Sequence, residues 1–153
     1  MKKVLFVCLG NICRSPMGEG MLKKIIEENS KEHEIYVDSA GTSAYHIGNS
    51  ADERMSKTAL NYGITLTSKA RQVTQNDFYE FDFIVAMDQS NYKDLCEKAP
   101  QDKSAKIVLM REYDTEENNL NVPDPYFGGI EGFENVYNIV KRSCYEFYKK
   151  ELN

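Results

Sequence analysis

The strongest structural signal in this chain lies in residues 4–16, which read VLFVCLGNICRSP. Val4 to Val7 form a continuous apolar run, which is the pattern of a strand buried on both faces. Ser15 is a good helix N-cap, and Pro16 suits the first helical position because its missing N–H is not needed there. The residues between must turn at the carboxyl end of a central strand. The segment therefore predicts a strand, a tight loop and a helix start.

The predicted loop has the features of an anion site. A loop between a strand and a helix N-terminus points backbone N–H groups inward and so favours a bound oxyanion. We expect these contacts from seven consecutive residues: Leu9, Gly10, Asn11, Ile12, Cys13, Arg14 and Ser15. The Arg14 guanidinium would add a planar fork that matches two oxygens of a phosphate. The sequence thus predicts a phosphate-binding loop.

Cys8 stands at the base of this loop, six positions before Arg14. The same amide dipoles would stabilise its thiolate and make it reactive at neutral pH. The other cysteines (Cys13, Cys96 and Cys144) have no arginine at that spacing. Because the spacing coincides with the predicted strand, loop and helix, it indicates a nucleophile rather than a small buried side chain.

A second segment, residues 121–129, reads NVPDPYFGG. Pro123 and Pro125 restrict the backbone on both sides of Asp124. A carboxyl group held rigidly beside the aromatic ring of Tyr126 suits a proton donor to a leaving group. By itself the segment could be an ordinary Asp-Pro turn. Together with the cysteine loop, it predicts a general acid.

These groups predict a two-step phosphoryl transfer. The Cys8 thiolate attacks phosphorus, while Arg14 and the loop amides stabilise the equatorial oxygens. Asp124 protonates the departing oxygen, and the phosphate remains on the sulfur as a cysteinyl phosphate. Asp124 then activates the water that releases phosphate.

Three side chains of the loop are expected to assist. Ser15 would hydrogen-bond the thiolate, and Asn11 would brace the loop and tolerate a left-handed backbone. Cys13 lies five residues after Cys8. It is placed to trap an oxidised Cys8 as a reversible disulfide.

Composition excludes several classes of function. The 153 residues suit one domain, residues 1–153, and the net charge of −5 without a basic stripe argues against nucleic acid. No apolar segment approaches membrane-spanning length, and no signal peptide precedes the first strand. Four cysteines and two histidines match no metal pattern. A cytoplasmic protein with no cofactor and no metal is the simplest interpretation.

Strand-like and helical segments alternate along the chain. This alternation predicts an α/β fold: three layers, with a four-stranded parallel sheet and helices on both faces. The predicted strands are Val4–Val7, Ile35–Ser39, Phe81–Met87 and Lys106–Met110, and the predicted helices include Pro16–Asn29, one opened by a Ser50–Glu53 capping box, one starting at Ser90, and Glu131–Leu152. The acidic segment Asp114–Asn119 is predicted to be a solvated loop.

The chain resembles the low-molecular-weight protein tyrosine phosphatase family from Lys3 to Lys149. The matching motifs are residues 8–16 (CLGNICRSP), 38–42 (DSAGT), 87–91 (MDQSN) and 124–126 (DPY). The resemblance implies hydrolysis of phosphotyrosine in proteins, and of small aryl phosphates. It implies these roles: Cys8 as nucleophile, Arg14 as phosphate ligand, Asp124 as proton donor, Tyr45, His46 and Tyr126 as walls of the substrate crevice, and Ser39 as support for Asn11.

Two positions depart from the family pattern. Ser68 stands where many members carry a histidine, so the support that this histidine gives the phosphate loop is absent or comes from another group. Phe127 replaces the second of two tyrosines that many animal members carry after Asp-Pro. Regulation by phosphorylation of that second tyrosine is therefore not expected.

Three other functions share features of this pattern. Thioredoxin-coupled arsenate reductases of this fold need extra cysteines near residues 81–92, which hold none. Protein-arginine phosphatases of this fold typically carry threonine where Ile12 stands, and Ile12 presents only carbon to a substrate. A phosphoprotein-binding module without turnover would need neither a nucleophile nor an acid. Phosphotyrosine hydrolysis is the favoured prediction.

Overall fold

The computed structural model describes residues 1–153, which form four parallel strands and five α-helices. The strands are β1 (Lys2–Cys8), β2 (Ile35–Gly41), β3 (Phe83–Ala86) and β4 (Lys106–Leu109). The helices are α1 (Arg14–Glu28), α2 (Glu53–Asn61), α3 (Asp77–Glu80), α4 (Gln89–Lys98) and α5 (Ile130–Phe147). The sheet order is β2-β1-β3-β4. No helix combines the length and apolarity that crossing a bilayer requires.

The central strand β1 separates two apolar cores. Val4 and Phe6 belong to the larger core, which contains buried residues of α1, α2 and α5. Leu5 and Val7 belong to a smaller core, which contains buried residues of α3 and α4. All four side chains are fully buried, because successive side chains of a strand point to opposite faces and both faces are covered. The predicted three-layer α/β fold is confirmed.

The parallel register brings the carboxyl ends of the strands to one edge of the sheet. Cys8, the last residue of β1, is paired with Gly41, the last residue of β2. A Cβ atom at Gly41 would lie 2.8 Å from the Leu9 carbonyl oxygen, so glycine permits the close approach of the two connections. Thr42 N donates to the Cys8 carbonyl oxygen at 2.9 Å. The cysteine loop is thus bound directly to the connection after β2.

Two predicted helix caps are wrong. Helix α1 begins at Arg14, so Ser15 lies inside the first turn, and its hydroxyl contacts Asn11 and Cys8 instead of capping the helix. Helix α2 is capped by Asp52, whose side chain accepts from the N–H of Arg54 and Met55. Caps of this kind are set by competing partners that local sequence does not show.

The C-terminal region also differs from the prediction. Strand β4 ends at Leu109 and leads into a 3₁₀ turn, Met110–Tyr113. The closing helix starts at Ile130, and after Phe147 its last residues, Tyr148–Leu152, form a π-turn. The solvated-loop prediction is wrong for Asp114, whose side chain is buried between two arginines.

Candidate active site

A cavity of about 200 Å³ opens at the carboxyl edge of the sheet. Three connections build its walls. The β1–α1 loop contributes Cys8, Leu9, Gly10, Ile12, Cys13 and Arg14, the β2–α2 connection contributes Ser43, Tyr45 and His46, and the segment before α5 contributes Asp124, Tyr126 and Phe127. Of the predicted phosphate-loop residues, Asn11 and Ser15 do not line the cavity; they are buried beneath it.

Two donors face the sulfur of Cys8. Ser15 Oγ lies 3.0 Å from the Cys8 sulfur, and the Ser15 amide N donates to the sulfur at 3.4 Å. Ser15 Oγ also accepts from Asn11 Nδ2 at 2.8 Å and lies 3.4 Å from the Ala40 carbonyl oxygen. An ionised sulfur is the nearer and the charged acceptor, so it takes the single hydroxyl proton of Ser15 as a hydrogen bond. Hydrogen bonds to the charged form favour that form, so this arrangement stabilises a thiolate at the bottom of the cavity.

Asn11 holds the loop in shape from below. Its φ of 58° is left-handed, a conformation that asparagine tolerates better than most residues. The side-chain oxygen accepts from Arg71 N at 3.0 Å, which orients the amide. The amide nitrogen then donates to Ser15 and to Ser39, at 2.8 and 3.0 Å. One buried side chain thereby ties the cysteine loop to strand β2 and to the connection between α2 and α3.

We expect Asn11→Ala to lower the free energy of unfolding by about 2–4 kcal/mol, since it strands buried polar partners and puts a β-carbon in a left-handed conformation. Asn11→Gly loses the same hydrogen bonds but keeps the backbone relaxed, so it should cost about 1 kcal/mol less. Urea denaturation of both variants measures the difference. Equal losses would show that the left-handed backbone contributes nothing.

The guanidinium of Arg14 is buried and held by partners from two distant segments. Its Nη1 donates to Asp88 Oδ2 at 2.6 Å and to the Val122 carbonyl oxygen at 3.1 Å. Burial by itself would lower the pKa of Arg14, but Cys8 and Asp88 outweigh it and raise the pKa above its ordinary value. Arg14 is therefore a fixed, permanently charged fork at the cavity wall.

Sequence reasoning did not single out Asp88 for this role. The side chain of Asp88 caps α4, accepting from Asn91 N at 2.7 Å through one oxygen, and binds Arg14 through the other. An aspartate directly after a buried strand and before a helix was the available signal. That signal indicates a cap, and nothing in the local sequence indicates the arginine.

Asp124 lines the cavity from the segment before α5. Its side chain is 45% exposed, and Oδ2 lies 3.6 Å from Arg14 Nη2. Oδ1 accepts from the Tyr126 amide at 3.1 Å, which orients the carboxyl group. The cysteine, the arginine and the aspartate predicted from sequence thus meet around one cavity.

Aromatic side chains form the mouth of the cavity. The rings of His46 and Tyr126 lie 6.1 Å apart, and Phe127 packs edge-on against Tyr126 with its own side chain 96% exposed. Tyr45 is also strongly exposed. Arg54, which sequence reasoning missed, stacks its guanidinium on the Tyr126 ring at 5.4 Å. The predicted crevice residues Tyr45, His46 and Tyr126 therefore all line the cavity that contains Cys8.

Comparison with known proteins identifies the family. A family model described as "Low molecular weight phosphotyrosine protein phosphatase" matches residues 3–153. The chain belongs to this family. A protein of that name from Gallus gallus is 45% identical over 152 residues, which cover 98% of this chain and 96% of the relative. The resemblance inferred from the sequence motifs is confirmed.

Solved structures agree with this family and its fold. A protein tyrosine phosphatase from Entamoeba histolytica shares 42% identity with a TM-score of 0.94, covering 98% of this chain and 96% of that chain. An arginine phosphatase from Drosophila shares 34% identity with a TM-score of 0.94, covering 100% of this chain and 99% of that chain. This chain is therefore similar in structure to one protein named as a tyrosine phosphatase and to another named as an arginine phosphatase.

In this member of the low molecular weight phosphatase family, Ser68 is the first of the two positions at which the sequence resemblance implies a departure. Ser68 lines a small cleft together with Glu19 and Lys23. Glu19 is buried, accepts from Ser39 Oγ at 2.6 Å and forms an ion pair with Lys23. The carboxylate of Glu19 therefore anchors Ser39, which accepts a hydrogen bond from Asn11.

Cys13 shares the cavity of this low molecular weight phosphatase with Cys8, and both are free thiols. Burial raises the pKa of Cys13, so it carries its proton at neutral pH. Its pairing with an oxidised Cys8 stays a prediction.

Proposed function

We propose that this member of the low molecular weight phosphatase family hydrolyses phosphotyrosine in proteins, and small aryl phosphates, through a cysteinyl-phosphate intermediate. One observation carries the proposal. The Cys8 sulfur lies 3.0 Å from the Ser15 hydroxyl and accepts from the Ser15 amide at 3.4 Å, in a cavity that also contains Arg14 and Asp124. A stabilised thiolate, a fixed cation and a carboxyl group around one space are the groups that phosphoryl transfer to sulfur requires.

In the proposed first step, the Cys8 thiolate attacks phosphorus and the bond to the phenolic oxygen breaks. Arg14 and the loop amides stabilise the charge on the equatorial oxygens. The proton of Asp124 passes to the phenolic oxygen, so a neutral tyrosine side chain leaves and the phosphate stays on sulfur.

In the second step a water attacks the cysteinyl phosphate, and Asp124, now ionised, accepts a proton from it. The sulfur leaves as a thiolate, stabilised by the hydroxyl and amide of Ser15, which lie 3.0 and 3.4 Å from it. Phosphate is released and Asp124 is again protonated. The same carboxyl group thus serves as acid and then as base.

A protein-arginine phosphatase is the second candidate, because one similar structure carries that name. Its leaving group would be the guanidinium nitrogen of phosphoarginine. Ile12 lines the cavity and offers only carbon there, which favours an aromatic leaving group over a polar guanidinium. A binding module without turnover is disfavoured, because binding alone needs neither Cys8 nor Asp124.

The test compares the chain with Asp124→Asn on p-nitrophenyl phosphate across pH. We expect the native rate to rise and then fall with pH, because one group must be deprotonated and another protonated. In the pH profile for p-nitrophenyl phosphate, the variant should lose the fall in rate at high pH. On phosphotyrosine peptides, its kcat/KM should be lower by about 10²- to 10⁴-fold. Asp94→Asn, the same change on the surface of α4, should match the native protein.

Peptides carrying phosphotyrosine or phosphoarginine then separate the two substrate classes. A higher kcat/KM on phosphotyrosine supports the proposal, and a clear preference for phosphoarginine would replace it. Absence of hydrolysis of every substrate by the reduced native protein would contradict both candidates and favour the binding module.

The remaining expectations concern the setting of the reaction. We infer that residues 1–153 act as one domain, without a cofactor, on phosphotyrosine proteins in the cytoplasm. The free state of all four cysteines supports a reducing compartment. The net charge of −5 supports protein rather than nucleic-acid partners.

A further inference from the structure

A buried ion-pair cluster lies beyond the cavity, next to the segment that carries Asp124. The side chain of Asp114 is 0% exposed. Its oxygens accept from Arg111 Nε at 3.0 Å, from Arg142 Nε at 2.9 Å and from the Glu116 amide at 3.2 Å. Burial alone would raise the pKa of Asp114, but the bonds from Arg142, Glu116 and Arg111 outweigh it and hold the pKa below its ordinary value. Asp114 is therefore a charged anchor.

Arg111 connects this anchor to the segment that carries the acid. Its Nε and Nη2 both lie 3.0 Å from Asp114 Oδ2. Its remaining nitrogen, Nη1, donates to the Asn121 carbonyl oxygen at 3.0 Å. Asn121 is three residues before Asp124, and only Val122 and the rigid Pro123 stand between them. The position of the Asn121 carbonyl therefore bears directly on the position of the carboxyl group.

The other anchors of this segment act from a different side. Val122 N donates to the Met87 carbonyl oxygen at 2.8 Å. Gln89 N donates to Asn121 Oδ1 at 2.8 Å. Met87 follows β3 and Gln89 is the first residue of α4, whereas Arg111 belongs to the 3₁₀ turn after β4. Arg14 also donates to the Val122 carbonyl oxygen at 3.1 Å, from helix α1. Without Arg111, the segment would keep these anchors and lose the bond to the Asn121 carbonyl oxygen.

Arg142 offers a natural comparison because it belongs to the same cluster without reaching the acid segment. Its Nε and Nη2 donate to Asp114 at 2.9 and 3.2 Å, and its Nε lies 3.3 Å from Glu116. The two arginines thus make similar bonds to one carboxylate. The contact with the Asn121 carbonyl distinguishes Arg111 from Arg142.

We propose that Arg111 is a positioning residue for the proton donor: Asp114 orients its guanidinium, which fixes the Asn121 carbonyl and thereby holds Asp124 over the leaving group. The proposal rests on the proposed function, since it assumes that Asp124 protonates the leaving oxygen. Arginine suits the role because its planar fork binds a carboxylate on one edge while a third nitrogen reaches elsewhere. A lysine ammonium at the same place would keep the charge but lose this geometry.

The experiment compares Arg111→Lys with Arg142→Lys on two substrates. Both variants keep the positive charge beside Asp114, and each loses guanidinium bonds to it. We would measure kcat/KM for p-nitrophenyl phosphate, whose leaving group departs with little help, and for phenyl phosphate, whose leaving group needs a proton. A general loss of structure lowers both values together, whereas a displaced acid lowers the second more than the first.

We expect Arg111→Lys to lower by about tenfold the ratio of two values, kcat/KM for phenyl phosphate divided by kcat/KM for p-nitrophenyl phosphate. This is a part of the roughly 10²- to 10⁴-fold that a positioned acid contributes. Arg142→Lys should leave this ratio within about twofold of the native value, as Arg142 does not contact the acid segment. An unchanged ratio in Arg111→Lys, or an equal fall in both variants, would overturn the proposal.

Two further variants keep the test decisive. Asp114→Asn removes the charge that orients Arg111 and should lower the ratio in the same direction, which covers the case that Arg111→Lys does not fold. In an Asp124→Asn background, Arg111→Lys should change the ratio no further, because both act through one proton transfer. A native ratio for Asp124→Asn alone would contradict the proposed function itself, whatever Arg111 does.

Discussion

Replacing Cys8 by serine is expected to lower kcat on p-nitrophenyl phosphate by about 10⁶-fold, the scale of loss when the nucleophile of a covalent enzyme is removed. The physical reason lies in the two donors that face the sulfur, the hydroxyl and the amide of Ser15 at 3.0 and 3.4 Å. They stabilise an anion on this atom, and a thiol loses its proton far more easily than a serine hydroxyl does. Steady-state assays under reducing conditions measure the loss.

The same variant should still bind ligand. Arg14 and the loop amides are unchanged in Cys8→Ser, so its dissociation constant for inorganic phosphate should stay within about tenfold of the native value by titration calorimetry. Cys96→Ser is the matched control, because Cys96 is exposed on α4 and does not line the cavity. Comparable activity of Cys8→Ser and the native protein would remove Cys8 from the mechanism.

The second large effect is expected at Arg14. Both Arg14→Ala and Arg14→Lys should lower kcat/KM by about 10³- to 10⁵-fold, the range in which a single arginine stabilises phosphoryl transfer. Arg14 is buried, and Asp88 and the Val122 carbonyl hold its fork at the cavity wall. Lysine keeps the charge but cannot clasp two phosphate oxygens while keeping those contacts.

The two Arg14 variants separate charge from geometry. If the fork geometry is required, the kcat/KM of Arg14→Lys will lie within about tenfold of that of Arg14→Ala. Both variants will bind inorganic phosphate more weakly than Cys8→Ser does. Urea denaturation checks that each variant is folded, since both leave Asp88 without its arginine. Near-native activity of Arg14→Lys would show that charge alone suffices.

The sequence by itself determined those parts of the site whose components are neighbours in the chain. Cys8, the loop and Arg14 span residues 8–14, so the apolar strand before them and the helix start after them sufficed to predict an anion loop. Asp124 could be identified because two prolines and an aromatic residue surround it. The parallel sheet followed from the alternation of strands and helices, a repeated signal along the whole chain.

The remaining features of the site depend on contacts between residues that are distant in the chain. Asp88 binds Arg14, which is 74 positions away in the chain. Arg142 binds Asp114 at a separation of 28 positions, so the predicted solvated loop contains a buried charge. Ser15 reads as a helix cap, a role worth about 1 kcal/mol, yet its hydroxyl serves Cys8. Local sequence patterns reflect preferences of about 1 kcal/mol, whereas an unpaired buried charge costs several kcal/mol. The pairing of buried charges therefore outweighs the local preference. Which charges are buried, and beside which partners, therefore follows from how strands, turns and helices distant in the chain pack together.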